Sequence, residues 1–187
     1  MKRALSPETC EYSATERALL LRLARDSIQA ALEGGELDLT PPGPHLAEPH
    51  GAFTTLQLAG KLRGCIGYIF PTDSLYKTVA DTARAAAFDD PRFEPVTLDE
   101  LAPLKIEISV LSPLQPTRPD EVVVGTHGLL VIQGNHRGLL LPQVAVEWEW
   151  DRETFLAQTC LKAGLPADAW QKDAEVQAFT AEVFGEE

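Results

Sequence analysis

Two extended runs, 52–58 and 61–70, lie only Ala59-Gly60 apart, and so short a connection joins antiparallel neighbours rather than parallel ones. Neither run has a cleanly polar face, so the hairpin is expected inside a sheet with both faces at least partly covered. If Leu58 pairs with Lys61, an unbroken register sets Leu56 opposite Arg63 and Thr54 opposite Cys65. Arg63 and Cys65, two residues apart in Leu62-Arg63-Gly64-Cys65-Ile66-Gly67, would then share one face of the strand. A guanidinium beside a thiol favours the thiolate, and a free thiol starts from a pKa of about 8.5. Gly64 and Gly67 mark places where another backbone, a ligand or a bulge comes close. The competing account is structural: free cysteines are among the most buried residues, and in an apolar strand they commonly only pack.

The rest of the chain frames this hairpin. Ser13-Ala14-Thr15-Glu16 has the form of a capping box, and Leu20, Leu23, Ala24, Ser27, Ile28 and Ala31 follow at helical spacing up to Gly34-Gly35, which predicts a first helix. Pro41, Pro42, Gly43, Pro44 and Pro49 make 40–50 a loop. Pro71-Thr72-Asp73-Ser74 offers caps to a second helix reaching Phe88, whose stripe of Leu75, Val79, Ala83 and Ala86 is small enough to lie close to a sheet. Pro91 stops it. Leu104, Ile106, Ile108 and Val110 alternate with Lys105, Glu107 and Ser109, predicting a strand over 104–112 with one wet face. Short strands are expected at 122–124, 129–133 and 137–141, a third helix at 151–163 closed by Gly164 with Pro166 beyond, and a final strand at 175–184. With 187 residues, one domain over 1–187 is expected, its first dozen residues flexible.

Charge and cysteine usage narrow the function. A formal net charge of −12 argues against a general phosphate-binding surface, so bulk nucleic-acid binding is not expected. The acidity is uneven: residues 147–187 hold ten acids against three bases, whereas 61–92 hold five bases against four acids. A small anionic ligand near Arg63 fits that local balance. No apolar run is long enough for a membrane span, and Pro7 and Glu8 interrupt the N-terminus before any signal-peptide core, so the chain is expected in the cytoplasm. Cys10, Cys65 and Cys160 are odd in number and widely spaced. They read as reduced thiols rather than a disulfide framework or zinc knuckle.

His127, between Gly125 and Gly128, is placed to act as base or ligand, and Glu147 as proton acceptor or as the group orienting an imidazole. The bland alternatives are an idle turn histidine and one acid on an exposed edge. His45, His50 and His136 sit in loops or at a hairpin tip, and the four histidines lack metal-site spacing, so no metal is expected. Trp148, Trp150 and Trp170 are expected as core or lobe-interface anchors, given the acidity around them. Arg92, in Asp90-Pro91-Arg92-Phe93, is expected to pair with Asp89 or Asp90, and Cys160 to pack in the third helix.

Leu62-Arg63-Gly64-Cys65-Ile66-Gly67, Asp90-Pro91-Arg92-Phe93, His127-Gly128-Leu129, Leu140-Leu141-Pro142-Gln143-Val144-Ala145 and Cys160-Leu161-Lys162-Ala163-Gly164-Leu165-Pro166, in this order, closely resemble the AMMECR domain family, the A component of the AmmeMemoRadiSam system. The resemblance runs from about Glu16 to the C-terminus. It implies an α+β fold, mainly antiparallel sheet with packed helices, in which a larger and a smaller lobe form a cleft near the cysteine. It also implies company with a Memo-like protein and a radical SAM enzyme, and a link to nucleic-acid base modification. A matched motif transfers a site and not a reaction. Expected roles are Cys65 as nucleophile or thiolate ligand, His127 as base, Arg63 as stabiliser of a thiolate or substrate anion, and Glu147 as the group orienting His127; the cofactor is unknown. The rival expectation is a noncatalytic binding or assembly partner, with an exposed apolar patch away from the cysteine as its mark.

Overall fold

The structure, a computed structural model, describes residues 12–186; Cys10 and the first-dozen expectation fall outside it, except for Tyr12, which is buried. The chain divides into two compact units, Met1–Val110 with Glu182–Glu187, and Leu111–Ala181.

The first unit contains α1 (Ala14–Glu33), α2 (Pro44–Ala47), β1 (Ala52–Leu58), β2 (Lys61–Tyr68), α3 (Leu75–Phe88), α4 (Leu98–Leu101) and β3 (Lys105–Leu111). Ser13 and Glu16 form the expected capping box, and Gly34 ends α1 with φ 70°. The predicted stripe of α1 is buried except for Ala31, which is exposed. The proline-rich loop contains one helical turn, α2, because Pro44 sits at the first helical position, where its missing N–H costs nothing. In α3, Ser74 caps the start, and Leu75, Val79, Ala83 and Ala86 are buried as their spacing required.

β1 is the centre of this packing. Its inward residues Ala52, Thr54 and Leu56 are fully buried, and Thr54 Oγ1 meets Thr82 Oγ1 of α3 at 2.9 Å. A Cβ at Gly64 would run into the carbonyl oxygen of Ala86, so that glycine lets α3 sit against the hairpin. Leu56, Ile106 and Ile108, all at zero exposure, each contribute about 1.5–3 kcal/mol by leaving water. Ser109 is also buried, so the outer face of β3 is only partly wet.

The hairpin register departs from the simple expectation. Ala59 and Gly60 both have positive φ (51° and 74°), and Leu58 does pair with Lys61. Gln57 then pairs with Leu62 but Leu56 with Gly64, so Arg63 is an extra residue in β2. The bulge sets Thr55, not Thr54, opposite Cys65, and Gly64, not Arg63, opposite Leu56.

The second unit holds β4 (Gln115–Pro116), a 3₁₀ turn (Pro119–Glu121), β5 (Gly128–Gln133), β6 (His136–Leu140), α5 (Pro142–Glu147), α6 (Arg152–Lys162) and β7 (Glu175–Phe179), and β8 (Ala181–Gly185) then joins the first sheet. The sheet orders are β2-β1-β3-β8 and β4-β7-β5-β6. Pairing is antiparallel between β1 and both neighbours, β5 and both neighbours, and β4 and β7. The α+β expectation therefore holds. Asp151 caps α6, and Gly164 (φ 76°) follows its end. Phe155, Leu156 and Cys160 of α6 pack with Leu129, Val131 and Val176.

Two strand expectations fail here. Residues 122–124 form no strand: the amide of Val122 bonds the carbonyl of Pro119 and that of His127 the carbonyl of Val123, because the Pro119 and Gly125 turns override a β-branched run. The predicted strand over 175–184 is two, β7 and β8, which belong to different sheets and are separated by Thr180. Thr180 donates to Ser112 Oγ at 2.9 Å and accepts from the Ser112 amide at 2.9 Å.

Candidate functional site

Around Cys65 the backbone is held by a neighbouring turn rather than by strand pairing alone. β2 lies at the edge of its sheet, and the Cys65 amide donates to Asp90 Oδ2 at 2.9 Å. The same carboxylate accepts from the Arg92 amide at 3.1 Å, from Arg92 Nε at 2.9 Å and from Arg92 Nη2 at 2.7 Å. Asp90 is 4% exposed. A buried carboxylate is tolerated only with such partners, and the Arg92 guanidinium, ahead of the two amides, holds its pKa well below the usual carboxylate range. Arg92 Nη2 also reaches the carbonyl of Cys65 at 3.4 Å, while the Arg92 side chain stays half exposed. The expected pairing of Arg92 with Asp90 is thus present, and it encloses the Cys65 peptide.

The thiol itself is half-buried and accepts a hydrogen bond from Thr55 Oγ1 at 3.4 Å. Gly67 leaves the room that the Phe53 ring occupies. Cys160, by contrast, is fully buried, and burial pushes its thiol pKa up. It is a packing residue.

Arg63 is committed elsewhere. Its Nε and Nη2 grip the two oxygens of Glu100 in α4 at 2.8 and 2.9 Å, and Nη1 donates to the Glu94 carbonyl at 2.9 Å. Glu100 also accepts from the Thr97 amide at 2.9 Å, and with Arg63 as the main cause its pKa falls from 4.5 to about 2. This forked pair ties the bulge of β2 to the start of α4. The cation bonded to the Cys65 peptide is Arg92.

His127 and Glu147 belong to the second unit. Nδ1 of His127 accepts from the Val123 amide at 3.1 Å, which leaves the neutral ring its proton on Nε2, and burial lowers its pKa. Glu147 is exposed at the end of α5, and no hydrogen bond joins it to His127 among the described residues. No cluster of three or more His, Cys, Asp or Glu suited to a metal ion occurs among the described residues. No helix among them is long and apolar enough to cross a membrane.

The second unit also carries a cavity of about 370 Å³ lined by Leu140, Val144, Trp148, Trp150, Gln158, Leu161 and Lys162. Trp148 is 68% exposed and stacks on Trp150 with ring centres 6.2 Å apart. It is not a core anchor, whereas Trp150 and Trp170 pack partly against the core. Sequence reasoning also missed Thr55 and the contact of Asp90 with Cys65. The first was hidden by the bulge; the second had one signal, an acid and an arginine two residues apart beside a proline.

A sequence model of the AMMECR1 family matches residues 21–184. Protein PF1979 of Pyrococcus furiosus is 47% identical, the alignment covering 90% of this chain and 87% of that protein. A protein of Methanosarcina acetivorans is 44% identical over 92% of both. The crystal structure of uncharacterized protein PH0010 from Pyrococcus horikoshii is similar with a TM-score of 0.86 and 43% identity, covering 95% of this chain and 94% of that one. Matched along nearly its whole length in sequence and in fold, the chain belongs to the AMMECR1 family.

Proposed function

We propose that this chain handles a small anionic ligand at the Cys65 thiol, as a component of a cytoplasmic modification pathway that also uses a Memo-like protein and a radical SAM enzyme. The observation that carries this is the Thr55 hydroxyl donating to a half-buried sulfur. Around it, Arg63 grips Glu100, Gly64 admits α3, Ile66 packs against the core and Gly67 makes room for Phe53. These residues serve the fold; the Cys65 thiol fills no core position. The half-exposed Arg92 supplies a cation for an anionic ligand. Arg63 acts as a positioning residue for β2. The pathway and its other members come from the resemblance to the AmmeMemoRadiSam A component, and a reduced thiol suits a reducing compartment. His127 offers Nε2 for proton transfer and has no hydrogen bond to Glu147 among the described residues, and within the first unit the Cys65 site is built from Thr55, Asp90 and Arg92.

A second reading, a noncatalytic binding or assembly partner, is favoured by the apolar cavity of the second unit, none of whose lining residues belongs to the Cys65 site. Cys65→Ser separates the two. Loss of complementation in a deletion strain, with a melting temperature like the parent's, supports the thiol site. A variant that melts several degrees low yet complements fully makes Cys65 a packing residue and overturns it.

A further inference from the structure

The cavity of the second unit lies on a surface whose composition points to its occupant. Val144 and Trp148 come from α5 and its cap, and Gln158, Leu161 and Lys162 from α6. The spacings are i, i+4 on one helix and i, i+3, i+4 on the other, so each helix presents one face to a common groove. Trp148, Leu161 and neighbouring Val146 are 68%, 51% and 57% exposed. Exposed apolar side chains grouped in this way mark interaction surfaces.

The tryptophans are held rather than loose. The amides of Trp148, Glu149 and Trp150 bond the carbonyls of Val144, Val146 and Ala145 at 3.1, 3.2 and 2.8 Å. Glu149 sits at φ 53°, a conformation that costs a non-glycine residue and persists only where its surroundings enforce it. Carboxylates alternate with the indoles: Glu147, Trp148, Glu149, Trp150, Asp151, then Glu153. All four acids are exposed, and Glu147, Glu149 and Glu153 form no ion pair among the described residues.

We propose that this groove docks an amphipathic helix of a partner protein, apolar residues seated on Trp148, Trp150 and Leu161, with Lys or Arg along its flanks meeting Glu147 and Glu149. Two helices presenting one face each accept a third by ridges and grooves, and the exposed Glu147 and Glu149 on either side of Trp148 in the chain, set against the one lining cation, Lys162, select a basic partner. A second copy of this chain fits poorly. A two-fold interface would bring the same carboxylates together, on a chain that carries a net charge of −12. The site shares no residue with the Cys65 site and does not depend on the thiol being reactive.

The test uses the full chain and a synthetic helix of about 18 residues with Leu at i, i+3, i+4 and i+7 and Lys on both flanks, followed by tryptophan fluorescence and calorimetry. Two control peptides are a scrambled sequence of the same composition and a version with Glu in place of Lys. Saturable binding of the Lys-flanked helix is expected, weakened about tenfold or more by Trp148→Ala and also by Glu149→Lys, with little binding of either control. Leu161→Glu, at an exposed position, serves as the second variant should Trp148→Ala disturb the fold. Absence of binding at millimolar peptide, equal binding of the scrambled or Glu-flanked peptide, or a sedimentation dimer abolished by Trp148→Ala overturns the proposal.

Discussion

The carboxylate of Asp90 accepts the amide proton of Cys65 at 2.9 Å, and the same carboxylate fixes Arg92, whose guanidinium returns to the carbonyl of Cys65. The two peptide units on either side of the Cys65 Cα are thus both held by a turn some 25 residues downstream. The local charge beside the thiol comes from that turn.

Alkylation separates the two arginines. Iodoacetamide near neutral pH modifies Cys65 well before the fully buried Cys160. Arg92→Ala and Thr55→Val slow the reaction at Cys65, because the first releases the Cys65 carbonyl from its clamp and the second removes the hydroxyl that orients the sulfur. Arg63→Lys leaves that rate near the parent's. Peptide mass spectrometry over a time course checks all three, and equal labelling of Cys65 and Cys160 removes the case for a reactive thiol.

Arg63→Lys acts on stability instead. Lysine keeps the charge but loses the fork to both oxygens of Glu100, at a cost of about 1–3 kcal/mol. The pH dependence follows from Glu100, depressed from 4.5 to about 2 in the folded chain. A depressed carboxylate stabilises the fold above its unfolded pKa, and that contribution is lost as pH falls through the folded value. Denaturant unfolding at a series of pH values therefore shows stability declining between about 4.5 and 2, with a shallower decline in Glu100→Gln.

Gly64→Ala drives a methyl into the carbonyl of Ala86. That atom is helix backbone, so α3 has to move off the hairpin, at about 1–3 kcal/mol. A melting temperature lower by a few degrees is expected, and an unchanged one shows that α3 shifts freely.

Ala59→Asn at the hairpin tip works in the other direction. Ala59 holds φ 51° before Gly60 at 74°, the geometry for which Asn-Gly is suited. Stabilisation of about 0.5–1 kcal/mol is expected, read as a higher denaturant midpoint at constant slope.

Where local chemistry decided the outcome, it was legible in the residues. Ser13 and Glu16 announced α1, Ser74 and Pro91 bracketed α3, Asp151 and Gly164 bracketed α6, and Ala59-Gly60 placed the hairpin turn. Distant partners hid the rest. Nothing near Arg63 signals the bulge, which accompanies the grip of Glu100 on the guanidinium from α4. The strand alternation of 61–67 therefore gave the right element with the wrong phase beyond Leu62, and the neighbour of Cys65 became Thr55. Val122 and Val124 looked extended because β-branching outweighs turn signals in a short window. The period-two pattern over 175–184 ran through Thr180, where the chain changes sheets.

That change of sheets orders events during synthesis. β8, which completes the first sheet, is translated after β7, and Glu182 within it and Glu186 just beyond it clamp Arg17 and Arg25 of α1 at 2.6 Å. α1 is translated before Leu111–Ala181, yet meets these ion-pair partners only after the whole of that segment has been translated. The unit interrupted by the insertion closes after it, so a nascent chain that has reached Ala181 and no further leaves α1 without that clasp although every residue of the inserted unit has been made.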